Sequence, residues 1–229
     1  MNGADYTLED RISIVRERIH RAAEGRAVTL VGVAKTKPAE LVRRAIAAGL
    51  DVIGENYVQE FRDKSAAGAY EGAAVHIIGH LQKNKVKYVA GRAALIQSVD
   101  SPALLMELSR RARALETVQD ILLEVNIGGE ESKSGIAPEG LDELLAWAGE
   151  FSGIRVRGLM AIPPAGESGV YFSRMHHLFV DNSKKKYDNV SMDFLSMGMS
   201  DDYEDAIREG ANMVRVGSFI FGPRDYTTH

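Results

Sequence analysis

Leu30-Val31-Gly32-Val33-Ala34-Lys35-Thr36-Lys37-Pro38 reads as a short buried strand that ends on a lysine and turns at once into a helix. The residues before position 35 are small or branched and carry no charge, which suits a strand covered on both faces. Side chains alternate along a strand, so Lys35 shares a side with Val33 and Val31. If those valines face a packed interior, the ammonium sits at its mouth, where apolar surroundings favour the neutral, nucleophilic amine. The competing reading is a lysine that snorkels from a strand end into water.

Working outward, Thr7 reads as the N-cap of a helix carrying Leu8, Ile12, Val15 and Ile19, which runs to about Ala23 and stops at Gly25. After Lys35, Pro38 takes a first-turn position and Leu41, Val42, Ala45 and Ile46 form a stripe ending at Gly49. Asp51–Gly54 is a second strand. Further strands are expected at Ala74–Ile78, Ala94–Val99, Ile121–Asn126, Arg155–Ala161, Phe194–Ser196 and Met213–Val216, with helical patterns between them. Strict alternation implies a parallel sheet, since each crossover needs a helix. Eight units suggest a closed (β/α)8 barrel of TIM type, with its active site at the C-terminal strand ends. An open doubly wound sheet is the alternative, but no G-x-G-x-x-G follows the first strand. Little chain follows the eighth strand, so the N-terminal helix is expected to fill the place of a missing last helix.

The chain has 229 residues, enough for one large domain spanning 1–229. Its 28 basic and 32 acidic residues give a net charge of −4, without a global pull towards nucleic acid or membrane. There is no cysteine, which excludes disulfides and thiolate chemistry. The first residues lack a secretion-signal pattern and no apolar run reaches membrane-spanning length, so the expected location is the cytoplasm. His76 and His80 are four apart but fall on a strand and its end, a poor metal arrangement. Lys184-Lys185-Lys186 and Arg110, Arg111 and Arg113 read as solvated surface.

Polar residues gather at the expected strand ends: Glu55-Asn56-Tyr57, His80-Leu81-Gln82, Asn126 and Ser196-Met197-Gly198-Met199-Ser200. Arg215 alternates with Val214 and Val216, so it points inward beside Lys35 if those valines meet the outer helices. A guanidinium is seldom buried without an acceptor or an anion. Two inward cations beside the glycine-containing turns after the last two strands point to an anionic ligand, because barrels bind phosphate there.

Six stretches resemble one family: Val33–Pro38, Gly54–Glu60, His76–Lys85, Gly158–Met160, Leu195–Ser200 and Val214–Gly222. In order and spacing they are similar to the pyridoxal-phosphate homeostasis proteins (the YggS/PROSC family), over nearly the whole chain. The resemblance implies the alanine-racemase-like barrel known as fold type III, with pyridoxal 5′-phosphate (PLP) as cofactor held by a Schiff base on Lys35. It further implies Arg215 at the pyridine nitrogen, Gly217, Ser218 and Ser200 at the phosphate, and Asn56 and Met199 along the ring. Ser200 also reads as an N-cap ahead of Asp201 and Asp202, acids that would repel a phosphate, which ranks it below Gly217-Ser218. The chain departs from the family at His80, where a proline is frequent.

Two functional classes follow. One is a carrier in PLP homeostasis and delivery, a monomer making transient contacts with PLP-dependent enzymes and none with nucleic acid or membrane. The other is an enzyme, either an amino-acid racemase or a class I aldolase. The chain shows no room for the C-terminal β-domain that supplies a racemase with its second base, while Glu55 or Glu124 could serve an aldolase. An arginine at the ring nitrogen makes a weaker electron sink than an acid would. Both the missing base and the arginine favour the carrier.

Overall fold

The computed structural model describes residues 6–130, 133–164 and 168–223, so the residues read for a secretion signal lie mostly outside it. Eight parallel strands close into a barrel in chain order: β1 (Thr29–Val33), β2 (Val52–Glu55), β3 (Ala74–Ile77), β4 (Leu95–Val99), β5 (Gln119–Glu124), β6 (Ile154–Met160), β7 (Val190–Ser196) and β8 (Met213–Val216). β8 returns to pair with β1, setting Val31 opposite Arg215. The helices are α1 (Leu8–Ala23), α2 (Ala39–Ala47), α3 (Val58–Ala66), α4 (Pro102–Ala114), α5 (Leu141–Ala148), α6 (Ser168–Ser183), α7 (Tyr203–Arg208) and α8 (Ser218–Phe221).

Strand alternation sorts the side chains into two cores. Val31, Leu95, Leu122, Met160 and Met213 come only from strands and fill the barrel's inside, with Val52 and Phe194 against them. Their neighbours, among them Ile53, Ile96, Leu123, Leu159 and Val214, join a larger core with the helices. Above the inner apolar layer lies a polar one made by His76, Gln97, Glu124, Ser196 and Arg215, all buried. The barrel thus carries its chemistry towards the C-terminal strand ends.

One glycine makes the alternation work on β6. Val156 and Leu159 both face the outer core while Met160 faces inward, so the register shifts by one residue between them. Gly158 takes up the shift at φ +140°, and a Cβ there would lie 1.9 Å from the Phe194 carbonyl oxygen. Only glycine fits such a bulge without moving β7.

α1 is closed by a capping box, with Asp10 N donating to Thr7 Oγ1 at 3.1 Å and Thr7 N to the Asp10 carboxylate at 3.0 Å. Its buried stripe of Leu8, Ile12, Val15 and Ile19 packs towards α7 and α8, and Arg18 lies over the Phe219 ring. α8 has only four residues, so α1 covers the flank that a full last helix would occupy.

Four local expectations need correction. β7 begins at Val190 rather than Phe194, because Ser191 and Asp193 hide its apolar alternation. Asp193 pairs with Arg157, which also reaches Asp120, so these polar residues knit the feet of β5, β6 and β7. β5 ends at Glu124 rather than Asn126, whose side chain instead holds the following loop through Glu130 N and O. Pro38 stands one place before α2 instead of inside its first turn. The β3–β4 crossover is a six-residue 3-10 segment, Lys83–Tyr88, not an α-helix.

Candidate functional site at the C-terminal end of the barrel

β1 stops at Val33, and Ala34 N still donates to Gly54 O of β2. The chain then turns, with Lys37 N donating back to Ala34 O and Thr36 at φ +61°. A β-branched residue in the left-handed region is strained and persists only where its surroundings fix it. Here they do. Lys64 Nζ donates to Ala34 O at 2.7 Å, and Glu60 accepts from Thr36 N at 2.7 Å. Lys64 Nζ also meets Glu55 at 2.7 Å and Glu60 at 2.9 Å. The backbone on both sides of Lys35 is therefore held by one buried ion cluster, while the Lys35 side chain points towards a cavity.

That cavity, of about 180 Å³, is bordered by Val33, Lys35, Lys37, Met199, Ser200, Asp201, Arg215, Gly217, Ser218 and Gly222. Lys35, Met199, Ser200, Arg215, Gly217 and Ser218, drawn from distant parts of the sequence, meet there. Asn56 directly follows β2 at the same end of the barrel and is not among the residues that border the cavity; its amide oxygen is buried and has no hydrogen-bond partner among the described residues. Apart from Asp201, the polar border is rich in donors: amines, a guanidinium, hydroxyls and the backbone of a glycine-serine turn. Such a donor set suits an anion. Gly217 also lets this turn close on β1, since a Cβ there would approach Val33 Cβ to 3.1 Å.

One expectation changes at this border. Ser200 does not cap a helix; Asp202 is the N-cap of α7, and Ser200 Oγ accepts from Gly217 N at 3.3 Å. The serine thus supports the Gly217–Ser218 turn. Lys37 also borders the cavity, with Nζ donating to Pro223 O at 2.6 Å.

The two acids considered for proton transfer separate cleanly. Glu55 lies on the outer side of β2, fully buried, with Tyr70 OH donating to it at 3.0 Å. Burial pushes its carboxyl up, against the pull of Lys64. Glu124 shares the inward side of β5 with Leu122. Burial and the neighbouring Asp100 push it up to about 7, opposed by Arg215. Arg215 is itself lowered to about 10 by burial, with Glu124 and Asp202 opposing, and stays charged at neutral pH.

His80 is exposed beside Asp100 at 3.3 Å, whereas His76 is buried with Nδ1 2.9 Å from Gln97 Nε2. Burial lowers His76 from 6.5 to about 4. The unfolded chain therefore binds the extra proton first, and stability falls as pH drops from 6.5 towards 4. The loss is about 3 kcal/mol once both states are protonated. His76→Gln should flatten that part of a stability–pH curve measured by urea unfolding; an unchanged slope would show that other groups set it.

Sequence reasoning missed Gln97 and the Glu55–Glu60–Lys64 cluster. The helical spacing of Glu60 and Lys64 was the visible signal, but it reads equally as a surface pair. Among the described residues no group of three or more histidines and acids is placed to hold a metal, and no helix is long and apolar enough to cross a membrane.

Comparison with known proteins fits this geometry. The family described as "Alanine racemase, N-terminal domain" matches residues 7–225. The pyridoxal phosphate homeostasis protein of Aquifex aeolicus is 45% identical over 226 residues, 95% of this chain and 98% of that protein. The structure of PipY from Synechococcus elongatus with PLP bound superposes with a TM-score of 0.84 at 31% identity, covering 94% of this chain and all of that one. Alanine racemase of Clostridium difficile shares the fold alone, at 14% identity and a TM-score of 0.73, over 93% of this chain and 57% of the racemase. The chain belongs to the alanine racemase N-terminal domain family and, within it, to the pyridoxal phosphate homeostasis proteins.

Proposed function

We propose that this protein binds pyridoxal 5′-phosphate through a Schiff base on Lys35 and acts in its intracellular homeostasis and delivery, without robust catalysis. The carrying observation is that the lysine, Arg215 and the Gly217–Ser218 turn converge on one cavity. When bound, the cofactor supplies an aldehyde and an electron-withdrawing ring. Lys35 provides the amine. Gly217, Ser218 and Ser200 would hold the phosphate, Met199 would line the ring, and Arg215 would face the ring nitrogen. Asn56, whose buried amide oxygen has no hydrogen-bond partner among the described residues, would line the ring beside Met199.

The carrier reading rests on Arg215 and on the acids. A guanidinium keeps its proton, so Arg215 would leave a ring nitrogen placed beside it unprotonated, a weaker electron sink than an acid partner would give. Among the described residues at the cavity border Asp201 is the one carboxylate, and Glu55 is engaged by Lys64 behind the turn. Glu124, buried on the inward side of β5 with its carboxyl pushed up to about 7, favours the second reading, an aldolase-type or racemase enzyme with that residue as acid or base. Delivery implies transient contacts of the open mouth with PLP-dependent enzymes.

Purified protein should be yellow, with a visible absorption band that intensifies on adding PLP. A colourless protein whose spectrum ignores added PLP would overturn the binding. Rapid α-proton exchange of an added amino acid in deuterated water would overturn the carrier and favour the enzyme.

A further inference from the structure

His76, Gln97, Ser196 and Arg215 stand on four different strands, yet form one unbroken line across the inside of the barrel. Arg215 Nη1 donates to Ser196 Oγ at 2.7 Å, Ser196 Oγ donates to Gln97 Oε1 at 2.7 Å, and Gln97 Nε2 lies 2.9 Å from His76 Nδ1. All four residues are at most 6% exposed. The direction of donation is forced from the arginine end. A guanidinium can only donate, so the serine oxygen accepts from it and must pass its own proton to the amide oxygen. The amide NH₂ then faces the histidine, which must accept at Nδ1 and carry its proton on Nε2. Arg215 Nη2 is tied separately to Ala161 O at 2.9 Å. The guanidinium is thus pinned from the barrel side, and its remaining donors are left for the cavity it borders.

We propose that Ser196 and Gln97 are positioning residues that fix the Arg215 guanidinium against the ring nitrogen of the bound cofactor. The proposal rests on the reading of this cavity as a PLP site. Neither residue borders the cavity, so each acts through Arg215.

The test measures the PLP dissociation rate and the ring-nitrogen ¹⁵N shift of labelled PLP in the loaded full-length protein. Arg215→Ala serves as reference. Ser196→Ala and Gln97→Leu should each speed release about 10-fold, the scale of one lost buried hydrogen bond, and should move the ¹⁵N shift in the direction of Arg215→Ala. In the Arg215→Ala background, Ser196→Ala should change release less than about 2-fold, because the interaction it supports is already gone. Equal effects of Ser196→Ala with and without Arg215, or an unmoved ¹⁵N shift, would make Ser196 merely structural and overturn the proposal. If Ser196→Ala fails to fold, the same comparison with Gln97→Leu decides. An Arg215→Ala protein with unchanged release and shift would instead overturn the placement of the cofactor ring.

Discussion

Lys64→Met should cost about 3–5 kcal/mol, the range for removing one partner of a buried ion pair, and should impair capture of PLP by Lys35 in whatever protein remains folded. Lys64 is buried, and its ammonium serves Ala34 O, Glu55 and Glu60 at once. Methionine fills similar space but leaves Glu55, fully buried, facing a carboxyl neighbour without a cation. Glu60 loses its partner as well, and with it the firm acceptor for Thr36 N. The strained turn that aims Lys35 then keeps only its backbone hydrogen bonds, Ala34 N to Gly54 O and Lys37 N to Ala34 O. Urea unfolding of the cofactor-free proteins gives the stability loss, and Glu55→Gln added to Lys64→Met should recover part of it by removing the stranded charge. A loss below about 1 kcal/mol, the scale of exposed pairs, would mean that the cluster is solvated and does not govern the turn.

The barrel was legible because its signal is repeated. Most strands are short apolar runs and most crossovers helical stripes, so a misread boundary such as β7 or the 3-10 crossover after β3 leaves the alternation standing. Lys35 and Arg215 were legible by parity, since a charged side chain on the inward side of a buried strand has few explanations. The supporting residues were less visible for a physical reason. Gln97 looks in sequence like any polar residue in a strand, and only barrel closure brings it near Ser196, 99 positions away. Lys64 similarly gains its meaning from Glu55 and from the Ala34 carbonyl, 30 positions distant. Asn56 was legible only as a strand-end residue: that position places it at the correct end of the barrel, and its buried amide oxygen is without a partner among the described residues.

Lys35→Ala should abolish covalent attachment of PLP altogether while sparing the fold. The side chain is half-buried at the cavity, and the turn is held by the backbone contacts of Ala34 and Thr36, which alanine leaves intact. Weak, reversible binding should remain through Gly217, Ser218 and Arg215, seen by equilibrium dialysis as a much larger Kd. Covalent attachment persisting in this variant would move the site to another amine. Lys37 is the rival, because it borders the same cavity and its ammonium, on Pro223 O, lies near the rim. Sodium borohydride reduction of the loaded wild-type protein, followed by peptide mapping, separates the two lysines directly. The account predicts one pyridoxyl-labelled position, Lys35; label on Lys37, or no stable label on any lysine, would contradict it.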